Sequence, residues 1–452
     1  MSGNGAGRIS IETPVRFADP LPEAVDVAII GGGVIGVFAA LYLARAGKRV
    51  FLAEKGRVAG EQSSRNWGWI RQQGRDAAEL PIAMQAVRLW REVDAELGGA
   101  CGVAPGGCYY LASSEAGVAA QHAWLEVARA HGLDTRALSR AEIEAGFGGQ
   151  APKTWSGGIV TPSDMRGEPW QAVPAVARLA QAGGVAIRED CAVRALDLAA
   201  GRVTGIVTEA GTVRAGQVIV AAGAWSSLFL RRHGIGIPQL AVRDTVAQTV
   251  PLPEFFAGTA ADERLAIRRR RDGGYTLSLA EVETQFIGPD AFRHLRRYLP
   301  LLREKWRDMG FRPAAPRGFP DGWGTARHWA VDEESPFERC RVLDPAPGRG
   351  EVATMQARFA ERFAALGRPG IRSAWAGMID TMPDVVPVVD RVPGREGLIV
   401  ATGMSGHGFG IGPGFGAVLA RMALGQAPGF DMARFRFGRF GDGSKVAPGA
   451  TL

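Results

Sequence analysis

The side chains best suited to chemistry on a small charged molecule sit in three separate stretches of this 452-residue chain. The first is SSRNWGWIRQQGRD, residues 63–76, which holds two tryptophans, three arginines and two glutamines with no clear helical or strand period. An arginine fork grips a carboxylate through two parallel hydrogen bonds, so the arginines of this stretch, Arg71 among them with Gln72 beside it, are candidates for an anionic substrate group. The plainer use of Arg71 is to pin its loop to a neighbouring acid. The second stretch has Arg268, at the head of a four-arginine run, and Tyr275; the two flank a hairpin turning at Asp272, Gly273 and Gly274. Strand alternation turns one face of that hairpin inward, so not all four arginines can face water. The third is GMSGHGFGIGPG, residues 403–414, where His407 is the only histidine in a recognisable motif. It can exchange a proton near neutral pH or simply stabilise its loop. Trp323, Trp329 and Trp375 are candidates for a pocket wall or for core, and Arg327 and His328 join them by proximity alone.

These residues need a scaffold, and the strongest signal for one is VDVAIIGGGVIGVFAALYLARAGKRVFLAEKG, residues 25–56. Val25 to Ile30 reads as a buried parallel strand that runs straight into Gly31, Gly33 and Gly36 in GxGxxG spacing. A helix follows to about Gly47, and Arg49 to Ala53 returns as a second strand ending at Glu54. The result is a complete βαβ unit. Its glycines allow a tight turn, backbone approach to a pyrophosphate and close helix–strand packing, while the helix N-terminus offers free N–H groups to phosphate. Glu54 is placed to hold both ribose hydroxyls, which disfavours a 2′-phosphate and leaves FAD or NAD rather than NADP.

Two distant segments choose between these. TVRAGQVIVAAGAWS, residues 212–226, contains a strand from Gln217 to Ala222 that breaks at Gly223. GLIVATGMSGHGFGIGPGFG, residues 397–416, contains a strand from Leu398 to Thr402, a glycine-rich loop and a helix from about Pro413 to Leu424. GxGxxG with Glu54, VIVAAGAWS and GHGFGIGPG together resemble the D-amino acid oxidase superfamily, which includes glycine oxidase, sarcosine oxidase and many amine dehydrogenases. The match runs in order over nearly the whole chain.

The resemblance implies an α/β fold: a Rossmann-like, glutathione-reductase-type FAD-binding domain with an inserted α+β substrate domain on a mainly antiparallel sheet. The expected FAD-binding parts are 25–100, 156–239 and 376–440, and the substrate parts 101–155 and 240–375. A frayed N-terminal tail (1–24) and a C-terminal tail (441–452) complete the chain. The cofactor would meet Gly31, Gly33, Val34, Ile35, Gly36, Glu54 and Lys55, then Ser63, Ser64 and Arg65, the backbone of Val193, and Ala222, Gly223 and Trp225. Gly403, Ser405, Gly406, His407, Gly408, Phe409 and Gly410 would lie under the flavin ring, where a helix N-terminus stabilises the anionic reduced form. Sarcosine-oxidase-like relatives place a substrate arginine near the position of Arg71, with Trp69 and Gln72 competing for the match. The roof hairpin would bring Arg268 or Tyr275 towards the flavin.

The implied activity is oxidation of an amine or amino acid. Hydride passes from the carbon next to nitrogen to flavin N5, the imine is hydrolysed, and oxygen or an acceptor such as a quinone reoxidises the flavin. Alternatives are a flavin dehydrogenase of a hydroxy acid or polyol, with His407 as base, and a subunit of a heteromeric amine dehydrogenase. Two departures from the family bear on this. Residues 63–69 contain neither histidine nor cysteine and Cys340 lies in no flavin motif, so FAD is expected to be non-covalent. No lysine lies between Lys153 and Lys305, so the roof lacks the oxygen-activating lysine of sarcosine oxidase, and a cation elsewhere or another acceptor must serve.

Composition fits a globular protein with two domains or one large composite domain, with hydrophobic content of 46% and 62 glycines. Net charge of +7 could suggest nucleic acid or a membrane surface, yet only five of the 53 basic residues are lysine and the arginines are spread along the chain. No stretch reads as a signal peptide or membrane span, and the four cysteines form no CxxC pair or metal spacing. The expectation is a cytoplasmic protein with reduced thiols, no metal and no nucleic-acid partner.

Overall fold

The computed structural model describes residues 7–280, 283–305, 309–444 and 446–447. Its first sheet grows from the βαβ unit. Strand Ala24–Ile30 lies between Val50–Ala53 and Gly211–Val220, parallel to both, and Ala186–Arg188 and Leu398–Thr402 extend the parallel set on either side. These strands are almost wholly apolar because both faces are covered. Helices Val34–Arg45, Leu80–Glu96, Pro169–Ala182 and Gly408–Ala423 bury one face, and a second cluster with Trp225, Phe229 and Phe337 buries the other.

Two glycines make the first turn possible. Gly31 has φ +111°, and a Cβ there would meet the Ala221 carbonyl oxygen at 2.5 Å; a Cβ on Gly36 would meet the Gly31 carbonyl oxygen at 2.1 Å. No larger residue fits either position without moving backbone.

The second sheet has ten strands and is mainly antiparallel. Its long central pair, Leu240–Thr249 and Ile371–Thr381, carries the hairpin Ala266–Arg269/Tyr275–Ser278 on the other side of the first strand. Gly157–Thr161 hydrogen-bonds in this sheet with Cys108–Ala112 and Arg136–Leu138. Sheet membership therefore shifts the expected boundaries: 157–161 goes with the second sheet, and the division at 376 falls inside a strand that belongs to it.

Two local expectations are corrected. The N-terminal segment is not frayed from residue 8 on, because Ile9 and Phe17 are buried and Ala18 bridges to Arg188. The last long helix starts at Gly408, so Pro413 lies inside it. Proline offers no N–H to the carbonyl four residues back, and the Trp90 indole N–H fills the gap by donating to the Phe409 oxygen at 3.1 Å. A long helix spans Pro289–Lys305, and Met309 belongs to a strand. Ser139 and Glu142 form a capping box at the start of helix Arg140–Gly146.

Candidate active site

A cavity of about 340 Å³ lies between the two sheets. It is lined by Ile30, Ala53, Ala221 and Ala401 at the carboxyl ends of four parallel strands, and by Asp244, Leu279 and Ile379 in or beside the second sheet. That is the crevice where open α/β sheets bind ligands.

One end is built from backbone. Gly31, Gly33, Val34, Ile35, Glu54, Lys55, Ser63, Arg65, Val193, Ala222, Gly223 and Trp225 all line the cavity. The N–H of Val34, in the first turn of its helix, donates to Ser63 Oγ at 2.9 Å. Glu54 accepts from the Gly32 N–H at 2.7 Å and the Gly56 N–H at 2.8 Å, which fixes its carboxyl at the strand end. Burial, opposed by Lys55, pushes that carboxyl up to about 7. Lys55 itself is committed to Glu61 and to the carbonyls of Cys340 and Arg341. Arg65 is buried and ties the Gly60 and Ile9 carbonyls to Ala376 and Asp344. A turn that excludes any Cβ, a helix N-terminus and a fixed terminal acid fit the nucleotide half of FAD.

The other end is built from side chains. Ser405, Gly406, His407, Gly408 and Phe409 line it, with Trp67, Trp69 and Arg71 from the segment that opens and flanks the short strand Trp69–Ile70. The Arg71 guanidinium rests over the Trp69 and Tyr110 rings at 5.8 and 5.2 Å. It donates to the Gln73 carbonyl and forms no salt bridge among the described residues. Arg75, 3% exposed, also lines the cavity, and its Nε and Nη1 have no partner. Burial and neighbouring Arg71 push this guanidinium down to about 9.

His407 Nδ1 lies 3.1 Å from the carboxylate of Glu79, which is fully buried at the start of helix Leu80–Glu96. Burial and Arg75 hold the imidazole down at about 4, so it is neutral, with Nδ1–H donated to Glu79. Burial alone would raise Glu79, but His407, Arg75 and Arg71 keep its carboxyl below the ordinary range. Asp244, also in the lining, accepts from the Trp67 indole N–H at 2.9 Å and from Ser278 Oγ at 3.2 Å.

Several expected residues are placed elsewhere. Gln72 does not line the cavity; its side chain and backbone hold Asp164. Arg268 is locked on Glu168 by two hydrogen bonds, at 3.1 and 3.3 Å, and on the Gly167 carbonyl and Thr276. The Tyr275 hydroxyl donates to the Phe256 carbonyl inside the core of the second sheet. Gly36, Ser64, Gly403 and Gly410 support the lining without forming it: the Ser64 hydroxyl accepts from the Ile9 N–H, and the Gly403 N–H donates to Asp380. Of the tryptophan candidates, Trp329 and Trp375 are core and Trp323 is exposed. Arg327 pairs with Asp321, and His328 is exposed. Not all four arginines of the run face water: Arg268 and Arg270 are buried, Arg269 is half-buried and Arg271 is exposed.

Arg75, Glu79 and Asp244 were not legible as site residues. Arg75 lies in the same rich segment as Arg71, which was a signal; Asp244 and Glu79 sit in ordinary strand and helix-start contexts that carry none.

Residues 26–422 match the family described as DAO, FAD dependent oxidoreductase. The chain belongs to this family. Its cofactor is therefore FAD. It is 27% identical to N-methyl-L-tryptophan oxidase of Salmonella heidelberg (strain SL476), over 92% of this chain and 99% of that one. It is 24% identical to mitochondrial sarcosine dehydrogenase of Homo sapiens, over 93% of this chain but 42% of that longer protein. Among solved structures, the L-amino acid deaminase from Proteus myxofaciens in complex with anthranilate superposes with a TM-score of 0.89, at 26% identity over 95% of this chain and 97% of that one. No helix among the described residues is long and apolar enough to cross a membrane.

Proposed function

We propose that this FAD-dependent oxidoreductase oxidises an amino acid or N-alkyl amino acid at the carbon next to nitrogen. The observation that carries the reading is the pair Arg71 and Arg75, which line the cavity beside His407: Arg71 has no carboxylate partner among the described residues and spends one donor on the Gln73 carbonyl, and Arg75 Nε and Nη1 have no partner among them. A buried arginine with open donors calls for an anion, and a carboxylate matches its fork. Relatives named for N-methyl-L-tryptophan, sarcosine and L-amino acids all take substrates of this chemistry.

Arg71 and Arg75 bind and orient the substrate carboxylate, which fixes the position of the α-carbon. His407, with Nδ1–H held by Glu79, presents Nε2 as an acceptor that orients a substrate N–H. Trp67, Trp69 and Phe409 supply apolar surface that keeps water from the reacting carbon. Bound FAD supplies the two-electron acceptor for the C–H hydride.

The nucleotide end, with GxGxxG and Glu54, is read as a glutathione-reductase-type FAD site, and the ten-stranded sheet as the roof of an inserted substrate region. FAD is read as non-covalent: Cys340 lies outside the lining, and burial pushes the one lining thiol, Cys191, up to about 11. Acid precipitation should leave the yellow colour in the supernatant. Lys55 is the only lysine in the described lining, and it is committed to Glu61. Arg71 and Arg75 are then the cations available beside His407 to whichever acceptor reoxidises the enzyme, and stopped-flow reoxidation by air against a quinone dye decides which is used. Free, mostly buried thiols suit a reducing, cytoplasm-like compartment.

The test is anaerobic mixing of the holoenzyme with amino acids, N-methyl amino acids and hydroxy acids. Loss of the flavin's visible absorbance with the first two classes supports the reading, and loss with hydroxy acids alone replaces it with the hydroxy acid alternative.

A further inference from the structure

Resting on that reading of the Arg71/Arg75 end, we propose that the cavity is bipolar and selects an α-amino acid whose side chain ends in a cation, held by Asp244. Asp244 sits on the roof strand Leu240–Thr249, 8% exposed, and lines the same cavity as Arg75. Trp67 and Ser278 each donate one hydrogen bond to it, which orients the carboxyl without neutralising it. No arginine or lysine forms a salt bridge with Asp244 among the described residues, although arginines neutralise buried acids throughout this chain, as at Glu168, Asp262 and Asp384.

An acid buried without a cation is costly, and so is an arginine buried with two open donors. Here both occur in one cavity: Arg75 lacks partners at Nε and Nη1, and Asp244 lacks a counter-charge. A ligand with a carboxylate at one end and an ammonium or guanidinium at the other satisfies both. The surface between them suits the aliphatic stem of such a ligand. Trp67 and Trp69 meet edge to face at 5.3 Å, and the first binds Asp244 while the second carries Arg71 over its ring. Glu283 also lines this end and adds negative potential. A neutral aliphatic side chain of equal length would leave Asp244 desolvated and unpaired, so the geometry discriminates against it.

The experiment compares anaerobic reduction of the holoenzyme by both enantiomers of lysine, ornithine and arginine with reduction by norleucine and Nε-acetyl-lysine. The expected result, read above pH 8 where Asp244 is ionised, is a kcat/KM for the cationic substrates about 30-fold or more above that for the neutral ones, a ratio that collapses in Asp244→Asn. A ratio unchanged by Asp244→Asn overturns the proposal, since Asp244 then acts at the reacting amine or only in folding. If Asp244→Asn cannot be purified, the wild-type comparison of lysine with Nε-acetyl-lysine still decides: equal or better use of the acetylated form overturns the proposal. Reduction by norleucine but not by lysine sinks this inference and leaves amino acid oxidation standing. Reduction by none of them sinks this inference, and the N-methyl amino acids of the preceding experiment then decide whether the reading it rests on stands.

Discussion

The two ends of the cavity are built on different principles. At the end read as the nucleotide site the lining is backbone: a glycine turn, a helix N-terminus and one acid fixed by two backbone donors. At the other end it is side chains from four separated segments: Trp67 to Arg75, Asp244, Leu279 with Ala280 and Glu283, and His407. Backbone architecture needs particular residues at fixed spacing along one stretch, and side-chain architecture needs only that distant segments meet. The first end can therefore host one kind of cofactor, while the second can be retuned for different substrates by single changes.

The contrast predicts unequal damage. The largest effect should come from Gly31→Val, which must move the Ala221 carbonyl or distort a φ of +111°. It should yield colourless protein or none, and retained stoichiometric flavin by absorbance would contradict the cradle. Next is Glu168→Gln, which strands the buried Arg268 guanidinium and should cost about 3–5 kcal/mol of stability. Denaturant unfolding measures it, and the substrate KM should stay within about twofold because neither residue lines the cavity. Arg71→Ala should cost about 2–3 kcal/mol in kcat/KM for amino acids, with little change in melting temperature, because its one hydrogen bond to protein among the described residues is to the nearby Gln73 carbonyl. The difference between these two arginines, one spent on Glu168 and one open, is the sharpest form of the comparison.

The smallest effect is one of pH. Burial and the negative charge of Glu283, with Glu351 beyond, push the Asp244 carboxyl up to about 8, against donation from Trp67 and Ser278. The ionised form binds a cation, so the lysine-to-norleucine ratio of kcat/KM should rise as pH climbs through about 8, by roughly tenfold. The ratio cancels titration of the shared α-amine. For stability the sign is opposite: the native state holds this proton above the ordinary carboxylate range, so Asp244 favours folding less as pH rises from about 4 to about 8.

The same contrast governs what the sequence revealed. The βαβ unit, the 212–226 strand and the 397–416 loop were legible because each joins hydrophobic period, glycine spacing and a terminal residue within one short segment. That not all four arginines at 268–271 face water followed from strand geometry alone. The role of Arg268 did not, because a run of arginines carries no record of Glu168, which lies 100 residues away. Tyr275 was similarly misplaced: strand alternation gives two faces, and only tertiary packing tells which meets the cavity. Glu79 and Asp244 became site residues through contacts to His407 and Trp67, and Arg75 through its place in the lining; neither the contacts nor the lining has a sequence signature.

The most direct test of the central claim is anaerobic reduction of the holoenzyme by an amino acid and by the amine that lacks only its carboxylate, in wild type, Arg71→Ala and Arg75→Ala. The account predicts that wild type prefers the amino acid by about 100-fold and that each variant loses most of that preference. Equal reduction by both compounds in wild type would show that the open arginines do not read a carboxylate, and would contradict it.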